Sequence, residues 1–134
     1  MNFVLDTNAV SETEKLRPDP AFISWHDAQD PSRLFITTIT IGEVWNGFYC
    51  LEPNHRDYNR IKLIAIDLAR RYRVLNYDIR AAAIWGELTA DVSARLPVRD
   101  SFIGAIARSR GYQVVTRDVG PFERMGCKVV NPWK

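Results

Sequence analysis

The chain has 134 residues, 46% of them hydrophobic and 25% charged, with seven glycines and seven prolines. That length is one ordinary domain able to bury its own core, and the composition excludes a disordered, collagen-like or repeat protein. A net charge of +2 does not by itself announce a nucleic-acid partner.

Asn2–Leu5 is a short apolar run that stops at Asp6 and predicts a buried strand. Asp19-Pro20 supplies a capping acid and a proline at the first helical position, so Ala21–Gln29 is predicted as a short helix. Leu34–Thr38 is β-branched and aromatic, a second strand. Thr40-Ile41-Gly42-Glu43 opens a helix with apolar residues at Ile41, Val44, Trp45, Phe48 and Leu51, one helical face that Pro53 ends. Trp45 on that stripe is expected to pack in the core or at a dimer contact.

A second helix is predicted from about Asn54 to Tyr72, with Ile61, Ile64, Ala65 and Leu68 on one side. Val74–Tyr77 is a brief strand closed by Asp78, and Ile79 to about Ala94 is helical. Arg95–Val98 reads as a loop, Asp100–Arg110 as a helix stopped by Gly111, and Gln113–Thr116 as a strand. Pro121–Met125 is a helical turn or two, and Lys128–Val130 a last strand. Strands separated by helices imply an α/β fold, a parallel sheet covered on both faces, in one domain spanning residues 1–134.

No apolar run approaches the roughly 18 residues of a spanning helix, and the Met1 end lacks a basic-then-apolar secretory signal. The expectation is a soluble cytoplasmic protein without membrane attachment. Cys50 and Cys127 stand in no metal-ligand spacing and are expected to be small buried hydrophobes.

The acids carry the functional signal. In an open α/β sheet, ligands bind outside the carboxyl ends of the strands. Asp6 follows the first strand, Asp118 follows the strand ending at Thr116, Glu43 lies in the first turn of the helix after the second strand, and Asp100 opens the helix leading to the Gln113 strand. Clustered carboxylates repel and raise one another's pKa unless a cation neutralises them. Oxygen-only ligands suit Mg²⁺ or Mn²⁺ rather than Zn²⁺, and neither His26 nor His55 has a partner at zinc-ligand spacing. Committing four of the 16 acids to a cation leaves 18 basic against 12 acidic groups, a balance suited to an anionic partner.

Each acid also has a plainer explanation. Thr40-x-x-Glu43 fits a capping box, Asp100 a helix cap, and Asp118 before Gly120-Pro121 a turn former. What favours a metal site is the recurrence of all four at strand-end positions of one domain.

The motifs Asp6-Thr7-Asn8, Glu43 followed by Gly47, Asp100 in DSFIGAIA, and Thr116-x-Asp118 occur in this order. Together they resemble a PIN domain, in particular the VapC and FitB-like branch, the toxin half of bacterial type II toxin–antitoxin pairs. The Asn131-Pro132-Trp133 ending resembles the FitB-like proteins as well, and the resemblance runs the length of the chain.

It implies an endoribonuclease dependent on Mg²⁺ or Mn²⁺, with Asp6, Glu43, Asp100 and Asp118 as metal-binding catalytic acids and Asn8 and Thr116 in support. It further implies a homodimer held inactive by a small antitoxin whose tail enters the acidic groove. Lys15, Arg17, Arg99 and Arg117 are candidate contacts for RNA phosphates. Two rivals stand beside this reading. One is a phosphatase, for which Asn8 occupies the place of the second acid that a haloacid-dehalogenase-like enzyme needs. The other is a catalytically silent module that binds an antitoxin or nucleic acid.

Overall fold

The computed structural model describes residues 1–133. Its elements in chain order are β1 (Phe3–Leu5), α1 (Thr7–Thr13), α2 (Pro20–Asp27), β2 (Leu34–Thr37), α3 (Thr38–Tyr49), α4 (Tyr58–Arg71), β3 (Arg73–Leu75), α5 (Ile79–Ala90), α6 (Val98–Arg110), β4 (Gln113–Val115), α7 (Val119–Arg124) and β5 (Val129–Val130). Single 3₁₀ turns at Pro31–Arg33 and Val92–Ala94 complete it.

All strand pairs are parallel, in the order β3-β2-β1-β4-β5. The centre of the sheet is β1, whose three residues are all buried. Because strand side chains alternate between faces, Phe3 and Leu5 join one core with Phe22, Ile36, Leu68 and Trp133. Val4 points the other way, into a core with Phe35, Ile103, Ile106 and Phe122. Helices α1, α2 and α4 contribute to the first core, and α5, α6 and α7 to the second. Each such buried apolar side chain contributes about 1.5–3 kcal/mol, so the sheet is held from both faces. Among the described residues no helix is long and apolar enough to cross a membrane.

Helix ends follow capping chemistry. Asp19 Oδ1 accepts from Phe22 N at 2.9 Å and Asp78 Oδ1 from Ala81 N at 2.9 Å, while Gly111 closes α6 at φ 71°.

The structure differs from the sequence expectations in six places. Helix α1 was not anticipated, since TNAVSET has too few apolar residues to show a period. Helix α4 starts at Tyr58 rather than near Asn54, and β3 occupies Arg73–Leu75 rather than Val74–Tyr77. Helix α5 stops at Ala90, and the turn that follows leads into Arg95 at φ 49°. Helix α6 begins at Val98 rather than Asp100, which takes Val98 out of the expected loop and places Arg99 within the helix. Finally, Cys50 is exposed just past α3 rather than buried, whereas Cys127 is partly buried with its thiol pushed up to about 11, chiefly by that burial. Trp45 is half-buried against Phe48 and Tyr49, with ring centroids 5.9 and 5.8 Å away.

Candidate active site

The strand order reverses at β1. Successive strands β1, β2 and β3 step outward to one side, then the chain returns to place β4 on the other side of β1. The carboxyl ends of β1 and β4 therefore lie together at a topological switch point, where open α/β sheets leave a crevice. Leu5 pairs with Val115, and Asp6 N–H donates to Val115 O at 3.1 Å. Asp6 and the Thr116 segment are side by side for that reason.

Asp6 is buried, and it also caps α1: its Oδ1 accepts from Ala9 N at 2.8 Å. Only one carboxylate oxygen is committed to that bond. Burial is the main cause that pushes its pKa up to about 6 from 3.8; bonds from Thr116 and Ala9 pull down, and the charges of Asp100 and Glu43 push up further. Asp100 is also raised, first by burial and then by Glu43 and Asp118. These mutual repulsions link all four acids: Asp6 to Glu43 and Asp100, and Asp100 to Glu43 and Asp118.

The plainer explanations fare unevenly. The cap of α3 is Thr37, whose hydroxyl accepts from Thr40 N at 3.3 Å. Glu43 therefore lies in the second turn, three residues beyond the position a capping box requires. Its Oε1 instead accepts from the Thr7 hydroxyl at 2.7 Å, and Thr7 meets the Thr40 hydroxyl at 3.1 Å. Asp100 is the third residue of α6 and does not cap it; Pro97 holds that place. Its charge still benefits from the positive end of the helix dipole. Asp118 precedes α7 without capping it through its side chain, and its own N–H donates to the Thr116 hydroxyl at 3.0 Å. The turn there is built by the buried Thr116, which leaves the exposed Asp118 carboxylate free of that duty.

The remaining candidates are placed as follows. Asn8 is exposed, in the first turn of α1. Arg99 Nη1 lies 3.3 Å from Glu43 Oε2. Lys15 is turned to Glu12 at 3.0 Å, and the Arg117 guanidinium lies 6.0 Å from the centre of the Trp133 ring. Arg17 is exposed beyond α1. His26 is engaged with Tyr72 at 2.9 Å on α2, and His55 accepts from Asp57 N at 3.0 Å in the turn before α4.

Two residues escaped the sequence reading. Thr7, the middle residue of Asp6-Thr7-Asn8, holds Glu43 from 36 positions away. Glu12 is buried, and its carboxylate accepts from Trp133 Nε1 at 2.9 Å, from Asp19 N at 2.9 Å and from Lys15. Burial works against its charge, but these three donors outweigh it and hold its pKa down at about 2. The indole partner in the Asn131-Pro132-Trp133 ending was the available clue, because a buried Trp N–H needs an acceptor.

Among the described residues no three acid or imidazole side chains are already drawn into one ligand cluster. Glu43 is held by Thr7 on one oxygen and by Arg99 on the other. The donor chemistry nevertheless fits a hard divalent ion: oxygen-only ligands, and mutual repulsion that a cation would relieve. Arg99 already stands as a cation on one of these acids. A groove of about 450 Å³ opens beside Glu43, lined by Thr7, Val10, Val44, Gly47, Ile61 and Ile64 among others. Asp6, Asp100 and Asp118 do not line it.

A parallel sheet with acids at the carboxyl ends of its strands is the architecture of a PIN-type nuclease domain, and residues 3–127 match the PIN domain family model. The chain belongs to the PIN-domain family. It is 35% identical over 136 residues to the plasmid stability protein StbB of Pseudomonas syringae pv. tomato, covering 98% of each protein. It is also 35% identical over 137 residues to the VapC ribonuclease Y4jK of Sinorhizobium fredii, covering 98% of this chain and 97% of that one. The solved structure of FitAB bound to an IR36 DNA fragment superposes with a TM-score of 0.83 at 27% identity, covering 98% and 96% of the two chains.

Proposed function

We propose that this chain is an endoribonuclease dependent on Mg²⁺ or Mn²⁺, acting as the toxin of a type II toxin–antitoxin pair. The observation that carries the metal reading is the charge state of the acids: Asp6 and Asp100 are both held above the ordinary carboxylate range, by burial and by their acidic neighbours. A chain gains nothing from such an arrangement until a cation enters it. The reading of RNA as substrate is supported by family membership and by a relative that is itself a VapC ribonuclease.

Asp6, Glu43, Asp100 and Asp118 would hold the ion. When bound, a divalent ion neutralises a phosphodiester, makes a water molecule more acidic and stabilises a departing oxygen. Asp6 offers the oxygen that Ala9 does not occupy, and its cap bond keeps the carboxylate from swinging away. Thr7 fixes Glu43 by the 2.7 Å bond, so that a long side chain reaching from the second turn of α3 has one orientation. Thr116 anchors the Asp118 backbone beside Asp6. Both histidines are engaged elsewhere, which favours attack by water over attack by a 2′-hydroxyl driven by imidazole. Water adds to phosphorus in line with the departing 3′-oxygen, leaving a 5′-phosphate and a 3′-hydroxyl.

The groove between α1, α3 and α4 is apolar along Val10, Val44, Ile61 and Ile64, with Glu43, Glu14 and Asp57 as well as Lys15 and Arg60 in its walls. Those properties suit the tail of a small antitoxin that carries apolar residues and an arginine toward the acids. We assign a homodimer as the working assembly on the same family grounds.

The test is cleavage of total RNA by purified protein with Mn²⁺ or with a chelator, beside the Asp6→Asn variant. Cleavage should require the cation and disappear in Asp6→Asn. Activity that survives in a folded Asp6→Asn protein would refute the assignment.

A further inference from the structure

Glu43 is held on both oxygens, by two restraints of different kinds. Oε1 accepts from the Thr7 hydroxyl at 2.7 Å, a bond from an uncharged donor that joins α1 to α3 and is backed by the Thr40 hydroxyl at 3.1 Å. Oε2 meets Arg99 Nη1 at 3.3 Å, and the Arg99 side chain is 66% exposed while that of Glu43 is 19% exposed. The first restraint is part of the packing. The second is an ion pair through a long, hydrated side chain, which water screens and another cation can replace.

Arg99 is also singular among the four basic residues near the site. Lys15 is committed to Glu12, the Arg117 guanidinium lies over Trp133, and Arg17 is exposed past the end of α1. Arg99 alone of the four pairs with one of the clustered acids. It does so from the second residue of α6, directly beside Asp100, because the helix starts at Val98. Its Cα is thus fixed by the same helix that fixes Asp100, while its guanidinium remains free to swing.

We propose that Arg99 is a built-in counter-cation. It neutralises Glu43 Oε2 while no divalent ion is present, and it turns to a substrate phosphate once that oxygen is taken. The ion and the guanidinium therefore compete for one carboxylate oxygen, and substrate binding rewards the exchange. This rests on the divalent-ion reading above.

The experiment uses the full chain with Arg99→Gln, Arg99→Lys and, as a separate control, Asp6→Asn. Circular dichroism should show all three folded, since Arg99 is on the surface and Asn at position 6 keeps the cap of α1. Mn²⁺ is titrated calorimetrically without RNA. Arg99→Gln should bind Mn²⁺ roughly three- to tenfold more tightly than the parent, because a competing positive charge is gone. Arg99→Lys should stay near the parent.

With a single-stranded oligoribonucleotide and saturating Mn²⁺, Arg99→Gln should raise KM several-fold more than it lowers kcat. The slope of log KM against log salt should fall by about 0.7, as for one lost phosphate contact. Equal Mn²⁺ affinity in Arg99→Gln and the parent, or an unchanged KM, overturns the proposal. If the parent binds Mn²⁺ and Asp6→Asn does not, the divalent site itself survives that failure. If Asp6→Asn binds Mn²⁺ as the parent does, the divalent-site reading falls and takes this proposal with it.

Discussion

Asp6 is more costly to the fold ionised than protonated, and the consequence can be measured without any substrate. Its pKa is raised from 3.8 to about 6, with burial as the leading cause. A carboxyl group raised in the folded state binds its proton more tightly there than in the unfolded chain. The Asp6 contribution to stability is therefore greatest below about pH 4, falls as pH rises from about 4 through 6, and stays at the lower level above that. The gap corresponds to about 3 kcal/mol at neutral pH.

Asp6→Asn removes the charge and keeps a residue that caps helices well, so the bond to Ala9 N is retained. The variant should be more stable than the parent by about 2 kcal/mol at pH 7.5, a rise of roughly 5–10 °C in Tm. That advantage should shrink toward nothing by about pH 4. The assay is thermal unfolding by circular dichroism across pH 4 to 8, with chelator present. A variant less stable than the parent at pH 7.5, or an advantage independent of pH, would show that Asp6 is not a strained carboxylate. Adding Mn²⁺ at pH 7.5 should raise the Tm of the parent and leave that of Asp6→Asn in place.

Two further substitutions separate the holding of the fold from the holding of the site. Glu12→Ala leaves the Trp133 indole N–H and the Asp19 N–H without their acceptor, and should cost about 2–4 kcal/mol by urea unfolding. Because the Glu12 pKa is depressed to about 2, its charged bonds stabilise the parent above about pH 4.5 and are lost as pH falls toward 2. The stability difference between parent and Glu12→Ala should narrow over that window, and a constant difference would count against the charge of Glu12. Thr7→Val deletes the 2.7 Å bond to Glu43 and should lower kcat about tenfold or more while moving Tm by only a few degrees. Thr7→Ser should restore the rate, and a Thr7→Val enzyme as fast as the parent would remove Thr7 from the site.

The apolar run Phe3-Val4-Leu5 stopping at Asp6 was enough to identify the central strand and the acid at its end, because three consecutive buried residues followed by a charge leave few alternatives. Asp118 and Thr116 were readable in the same way. Helix α1 was not, because its formation depends on the Asp6 cap and on Ala9 and Val10 packing beneath it rather than on any period in TNAVSET. Glu43 gave a misleading local signal. Threonines at 37, 38 and 40 all have the chemistry of a cap, and only the end of β2 decides that Thr37 takes the role. Glu12 resembled any surface acid until Trp133, 121 positions away, was seen to donate to it.

Local sequence pattern was enough for most of the alternation of strands and helices and for the two-faced core, and it singled out the four candidate acids. These rest on local hydrophobic pattern and on residue chemistry, which do not depend on where the chain later goes. Only the tertiary structure decided which acids repel which, that Thr7 orients Glu43, and that Arg99 of the four candidate cations lies on the cluster. Those are relations between residues 18 to 94 positions apart in the chain. The strand order β3-β2-β1-β4-β5 sets them, and a pair of carboxylates brought together by such a reversal leaves no trace in the spacing of either.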